Sequence, residues 1–328
     1  MIEFWAAALA LTLMLYVLLD GFDLGVGMLF GIAPDEAARR HMMQAIAPVW
    51  DGNETWLVLA ATILFGAFPA VYALLLSAFY LPLLLMLAAL ILRGVAFEFR
   101  YKSRRLRRVW DAGFVGGSFC AAFVQGVTVG ALVQELPVRD GLYVGGAFGW
   151  LTPFSLLCGL GLCLGYALLG AAWLCGKTET DVRDLGFRLL PRLLLGVLVF
   201  LGAAFAYALA MNLRVLHRWL ERPEMLVLPL VGAAACAGLL YAARRRNDAL
   251  PFPLVALIFA AAFATLAASF LPYMVPFSVT VTEAAAPEAS LSFMFWGAGI
   301  VVLPITLIYT LVVYRVFKGK VDVAEHYD

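Results

Sequence analysis

The chain has 328 residues, 64% of them hydrophobic and 14% charged, with a mean hydropathy of +0.94. Soluble domains run near half apolar and a quarter charged, so this composition excludes a water-soluble globule and makes lipid the solvent. Net charge is +1, and no basic cluster is interleaved with aromatics, which excludes a nucleic-acid partner.

A helix needs about 20 apolar residues to cross a bilayer. Spans are expected near 4–31, 46–67, 70–97, 112–134, 150–175, 189–211, 225–243, 251–271 and 293–317, which together make one all-α, polytopic membrane domain of about nine helices. The first run has Glu3 where a signal peptide has basic residues, and Asp20 and Asp23 follow, so it reads as a retained span. The second and third spans share one uncharged run from Thr55 to Leu92. As a single helix that run would be about 57 Å long, so the turn signal Gly66-Ala67-Phe68-Pro69 must break it. Helix 2 then has to begin upstream, near residues 45–48, and it draws Asp51 and Glu54 into the membrane zone.

Nineteen of the 23 basic residues fall in the loops after odd-numbered spans or in the tail; Arg139, Arg214, Arg218 and Arg222 are the other four. By the positive-inside rule the odd loops are cytoplasmic, with the N-terminus outside and the C-terminus inside. Arg244 to Arg246 read as a topology and lipid-headgroup anchor. Trp5, Trp110 and Trp150 read as interfacial belt residues. Cys120, Cys158, Cys163, Cys175 and Cys236 lie in or beside apolar runs without a CxxC pair, and read as packing groups.

The chemistry sits in LDGFDLGVG (19–27) and PVWDGNETWL (48–57). Asp20 and Asp23 are three apart and share a helix face, as do Asp51 and Glu54. Antiparallel neighbours 1 and 2 would bring these four carboxyls to similar depth, roughly 8–16 Å inside the helix ends. Carboxyls in a membrane are costly and serve a proton path, a cation or a partner charge. With Asn53 beside them they also suit Na⁺ or another hard cation, at Asp23 and Asp51. The structural alternative puts Asp51 and Glu54 at the positive start of helix 2, Asp20 at a cap or kink by Gly21, and Arg39 and Arg40 as counter-charges. Gly21, Gly25 and Gly27 are spaced for close helix packing and do not form a phosphate loop. The three histidines, His41, His217 and His326, fall in loops or the tail. No span offers the axial histidine that haem usually takes, so any haem of a complex must be held by another subunit.

At these motifs the chain resembles subunit II of the cytochrome bd-type, or cyanide-insensitive, quinol oxidases. The likeness continues through LRGVAFEFRYK (92–102), VWDAGFVGGSF (109–119), LPYMVPFS (271–278) and VLPITLIYTLVVY (302–314). It implies two four-helix bundles plus a peripheral helix, in a bacterial inner membrane. It implies a heterodimer with a haem-bearing subunit I that carries two b-type haems and haem d (or a third haem b) and meets quinol and O₂. No cofactor is expected in this chain beyond a structural quinone or lipid, and a small single-span accessory subunit is a further expected partner. By the same resemblance Asp23 and Asp51 match acids of a proton path or cation site, with Trp50 preceding the second. Asp20 matches the first acid of its motif, and Glu54 a position that also takes an amide. Arg93, Glu98, Arg100 and Asp111 match a structural charge patch at the cytoplasmic face. The competing class is a stand-alone proton- or cation-coupled secondary transporter; against it, no paired broken helices stand in matching halves.

Overall fold

The computed structural model describes residues 1–103, 105–211, 214, 219 and 223–321; Arg104, His217, Arg218, Arg222 and His326 lie outside the described residues. Helix α1 (Ile2–Leu29) leads through a 3-10 turn into the short loop helix α2 (Glu36–Gln44), whose first turn is capped by the Asp35 side chain on the Ala38 amide. Then come α3 (Trp50–Ala67), α4 (Pro69–Lys102), α5 (Arg107–Val133), α6 (Pro153–Lys177), α7 (Thr180–Ala210), α8 (Val227–Arg245) and α9 (Pro251–Phe270). The chain closes with α10 (Val281–Ala284), α11 (Glu288–Met294), a π-helical turn at Phe295–Gly299 and α12 (Ile300–Val316). Two-stranded hairpins, β1 (Val138–Arg139) with β2 (Leu142–Tyr143) and β3 (Tyr273–Val275) with β4 (Val279–Thr280), decorate one end.

Among the described residues eight helical segments are long and apolar enough to span a membrane. The expected ninth is α3, whose Asp51, Asn53 and Glu54 dilute its apolar character over only 18 residues. It nevertheless runs from one end of the bundle to the other. Its start follows a loop pinned by Trp173 Nε1 donating to Ala45 O (3.0 Å), and its last carbonyl, on Ala67, accepts from the Ala286 amide (2.9 Å).

Local chemistry explains the breaks. Pro69 has no N–H to continue α3, so the chain turns at Phe68 (φ −135°, ψ 57°) and Pro69 opens α4. Pro82 deprives Ala78 of its helical donor and crowds it, and Phe79 leaves helical geometry (φ −123°, ψ 19°). A capping box of Thr152 with Ser155 starts α6. Helix α7 begins at Thr180, upstream of the apolar run read from 189, because charged residues do not interrupt helical hydrogen bonding.

Helices α1, α3, α4 and α5 pack as one group and α6, α7, α8 and α9 as a second. The groups meet where α6 packs against both α5 and α1, and in the α1–α6 contact Gly25 and Gly170 let backbones touch: a Cβ on Gly25 would lie 1.8 Å from the Tyr166 carbonyl oxygen. Helix α12 lies at the periphery and has no buried residue.

Candidate functional site

Arg93 of α4 is 1% exposed, and its Nη1 donates to Asp20 Oδ1 (3.2 Å) and Glu54 Oε1 (2.6 Å). Its guanidinium lies 5.9 Å from the centre of the Trp50 ring. Asp23, fully buried one turn along α1 from Asp20, accepts from Asn53 Nδ2 (2.7 Å); the same amide nitrogen also donates to Leu19 O (3.3 Å). Asn53 Oδ1 in turn accepts from the Tyr314 hydroxyl of α12 (2.9 Å). Deeper in the bundle the Tyr16 hydroxyl faces Asp20 and accepts from Gln125 Nε2 (2.8 Å), whose Oε1 accepts from Tyr166 (2.8 Å). Two hydrogen-bonded sets thus lie side by side: Tyr314, Asn53 and Asp23 across α12, α3 and α1, and Glu54, Arg93, Asp20, Tyr16, Gln125 and Tyr166 from α3 through α4, α1 and α5 to α6. Among the described residues Asp23 Oδ1, Arg93 Nε and Nη2, and Ser118 Oγ are buried without a hydrogen-bond partner. Such atoms are rarely left without a partner, and bound water is the usual one.

Of the residues expected to act together, Asp20, Asp23, Trp50, Asn53 and Glu54 are gathered here, and Asp51 is not. Asp51 is exposed in the first turn of α3, where a carboxylate favours the positive helix end. Positions 51 and 53 point about 200° apart around a helix, so the inward face that gives Asn53 to Asp23 turns Asp51 away. Among the described residues no group of three or more His, Cys, Asp or Glu side chains could hold a metal ion.

The expected charge patch is also rearranged. Arg100 stands at the basic end of the bundle and binds Asp111 through Nε (2.5 Å) and both Glu36 oxygens through Nη2 (2.9 Å each). Arg39 joins Asp111 and Arg107 joins Glu36, each at 3.4 Å. Arg93 leaves this patch: seven residues before Arg100, it lies on nearly the same face but about 10 Å deeper, where it meets the acids of α1 and α3. Glu98, five residues from Arg93 and about 140° around the helix, is exposed and has no ion pair among the described residues. The counter-charge of the buried acids is therefore Arg93, while Arg39 serves Asp111.

Arg93, Tyr16, Gln125, Tyr166 and Tyr314 were not singled out by sequence as partners of the acids. For Gln125 a signal existed, since it is the one amide side chain within the apolar stretch of α5. Tyrosines are too common at membrane ends to stand out.

Fold and site define a polytopic α-helical membrane protein with a charged, hydrogen-bonded network inside its first helix group. The family model for cytochrome bd terminal oxidase subunit II matches residues 1–317. The chain is 32% identical to the cytochrome bd-I ubiquinol oxidase subunit 2 of Escherichia coli, over 97% of this chain and 94% of that one. It is 29% identical to the cytochrome bd ubiquinol oxidase subunit 2 of Bacillus subtilis, over 98% and 96%. In fold it matches a chain of the bd oxidase from Geobacillus thermodenitrificans with a TM-score of 0.78, covering 96% of this chain and 98% of that one at 17% identity. The protein belongs to the cytochrome bd terminal oxidase subunit II family.

Proposed function

We propose that the chain is the haem-free subunit II of a bd-type terminal quinol oxidase, which reduces O₂ to water with electrons from quinol, and that its buried network holds protons on their way to the partner subunit. Family membership supports the first part. The donor set argues against haem in this chain: the sole histidine among the described residues, His41, lies in the loop helix α2 outside the bundle core. No redox step is therefore routed through these residues. The partner is the haem-bearing subunit I, and the basic end of the bundle faces the cytoplasm of a bacterial inner membrane.

One observation carries the proton reading. Two carboxyls, Asp20 and Glu54, share a single guanidinium, and a third, Asp23, is buried one helical turn from Asp20. Asp20, Asp23 and Arg93 are closed to bulk water, and Glu54 is the member that keeps a quarter of its side chain exposed. The group is neutral only when two protons, one proton with a monovalent cation, or a divalent cation joins it, and an unneutralised charge at such depth is expensive. Water meeting the unpaired Asp23 Oδ1 and the unpaired Arg93 nitrogens would let a proton move along the set. A lipid tail or the isoprenoid part of a structural quinone fits elsewhere, in an apolar groove of about 470 Å³ between Phe4, Leu11, Trp56, Phe295, Ile300 and Leu303.

Purification from native membranes in mild detergent tests the assignment. A second, haem-bearing chain co-purifies with a cytochrome spectrum, whereas a colourless, lone, transport-competent protein would establish the transporter. For the proton reading, Asp23→Asn lowers O₂ turnover by at least about tenfold with normal haem spectra. Full turnover in an intact complex would refute it.

A further inference from the structure

A cavity of about 260 Å³ opens at the basic end of the bundle, lined among others by Gln44, Pro48, Trp173, Lys177, Tyr314 and Lys320. Its roof is the segment after α12. Lys177 Nζ donates to the carbonyls of Phe317 and Gly319, the Val321 amide donates to Lys177 O (2.9 Å), and Lys320 Nζ reaches Asp248 Oδ2 (2.7 Å). On the inner side stands Tyr314. Its hydroxyl donates to Asn53 Oδ1, and the Asn53 amide donates to the fully buried Asp23, whose Oδ1 has no partner among the described residues. Two side chains thus separate a cavity of mixed lining, open at the end where Lys177 and Lys320 stand, from a carboxyl that is cut off from bulk water.

We infer that this cavity is the aqueous antechamber of Asp23 and that Tyr314, acting through Asn53, is the positioning residue that gates it. The inference deepens the proton reading above and rests on it. Helix α12 is suited to such a part. It has no buried residue, and within the helix at this end Tyr314 is the side chain hydrogen-bonded into the bundle; it also meets Phe22 and Trp173 edge-on with ring centres 6.5 and 6.0 Å away. A tilt of Tyr314 opens the cavity toward Asp23. A hydronium ion there gives its proton to an Asp23 carboxylate oxygen and becomes water. With the hydroxyl back on Asn53, the amide again holds Asp23 and the route is shut.

Two variants of the whole oxidase separate gating from anchoring. Tyr314→Phe keeps the ring contacts and removes the donor to Asn53. Loss of one neutral hydrogen bond changes saturated O₂ turnover by about fivefold, alters its pH profile, and leaves the KM for quinol and the haem spectra unchanged. A purely anchoring tyrosine predicts no change in turnover or pH profile, and that result overturns the gate. Access is measured independently of turnover. With the five native cysteines replaced, Val49→Cys in the cavity reacts with a small water-soluble thiosulfonate reagent. Asp23→Cys, which leaves the Tyr314–Asn53 hydrogen bond in place, stays unreactive beside Tyr314 and becomes reactive when Tyr314→Ala is added. Equal labelling of Asp23→Cys with and without Tyr314, or an unreactive Val49→Cys, overturns the antechamber. These labelling results stand whatever Asp23→Asn does to turnover, so failure of the gate and failure of the proton reading are told apart.

Discussion

Replacing Arg93 by glutamine tests the core of the site. The guanidinium is 1% exposed and its Nη1 serves two carboxylates, Asp20 Oδ1 at 3.2 Å and Glu54 Oε1 at 2.6 Å, with Asp20 itself fully buried. Removing one member of a buried ion pair leaves the other desolvated and uncompensated, which costs about 3–5 kcal/mol, a factor of roughly 10² to 10³ or more in the folded population. The pair's own share follows from a double-mutant cycle. Asp20→Asn with Arg93→Gln removes both ends, so the double variant is less destabilised than the summed singles by about 1–3 kcal/mol. Arg93→Lys falls between, because a compact ammonium lacks the planar fork that meets two acids at once. The assay is equilibrium unfolding of the purified complex in mixed detergent micelles. If Arg93→Gln stays within about 0.5 kcal/mol of the natural protein, Arg93 is not the counter-charge that holds these acids.

At the α1–α6 contact, a Cβ on Gly25 would stand 1.8 Å from the Tyr166 carbonyl oxygen, where an ordinary carbon–oxygen contact is about 3.3 Å. Gly25→Ala therefore drives α1 and α6 apart by about 1.5 Å and costs about 1–3 kcal/mol, seen as lower thermal stability in detergent. Gly116→Ala, with nothing within 4 Å of its Cβ, serves as the unchanged control. In the loop before α9, burial raises the Asp248 carboxyl, but hydrogen bonds from Lys320 and Arg183 outweigh it and hold the carboxyl below its usual value. A depressed carboxyl stabilises fully above the unfolded value and loses that contribution as pH falls through the folded one. The roof over the antechamber therefore stays latched near neutrality and loosens below about pH 4. Limited proteolysis after α12 across pH 6 to 3 reads this; Asp248→Asn cuts equally at every pH, and a natural protein that did the same would refute the latch. Asp51→Asn, exposed and outside both hydrogen-bonded sets, slows turnover less than Asp23→Asn; the reverse order would place the entry at Asp51.

Much of the fold was legible along the chain because lipid imposes a one-dimensional rule: each crossing must be a long apolar helix with its backbone satisfied internally. Gly66 to Pro69 announced the α3–α4 break, and the bias of lysine and arginine marked one end of the bundle. The spacing of Gly21, Gly25 and Gly27 announced a close helix approach, though not that Tyr166 and Ser118 would be what they meet. The acids at positions 20, 23 and 54 were visible as charges out of place. Their partners were not. Arg93 reads from sequence as one more basic residue at a helix end, and only the packing of α4 against α1 and α3 carries it inward. Rotation about α3 chooses Asn53 over Asp51 as the neighbour of Asp23. Tyr314 is 261 positions from the Asn53 it holds. Hydropathy and spacing record what each helix can bury. Which side chains meet inside depends on how the helices rotate and cross, and that was decided only when the whole bundle packed together.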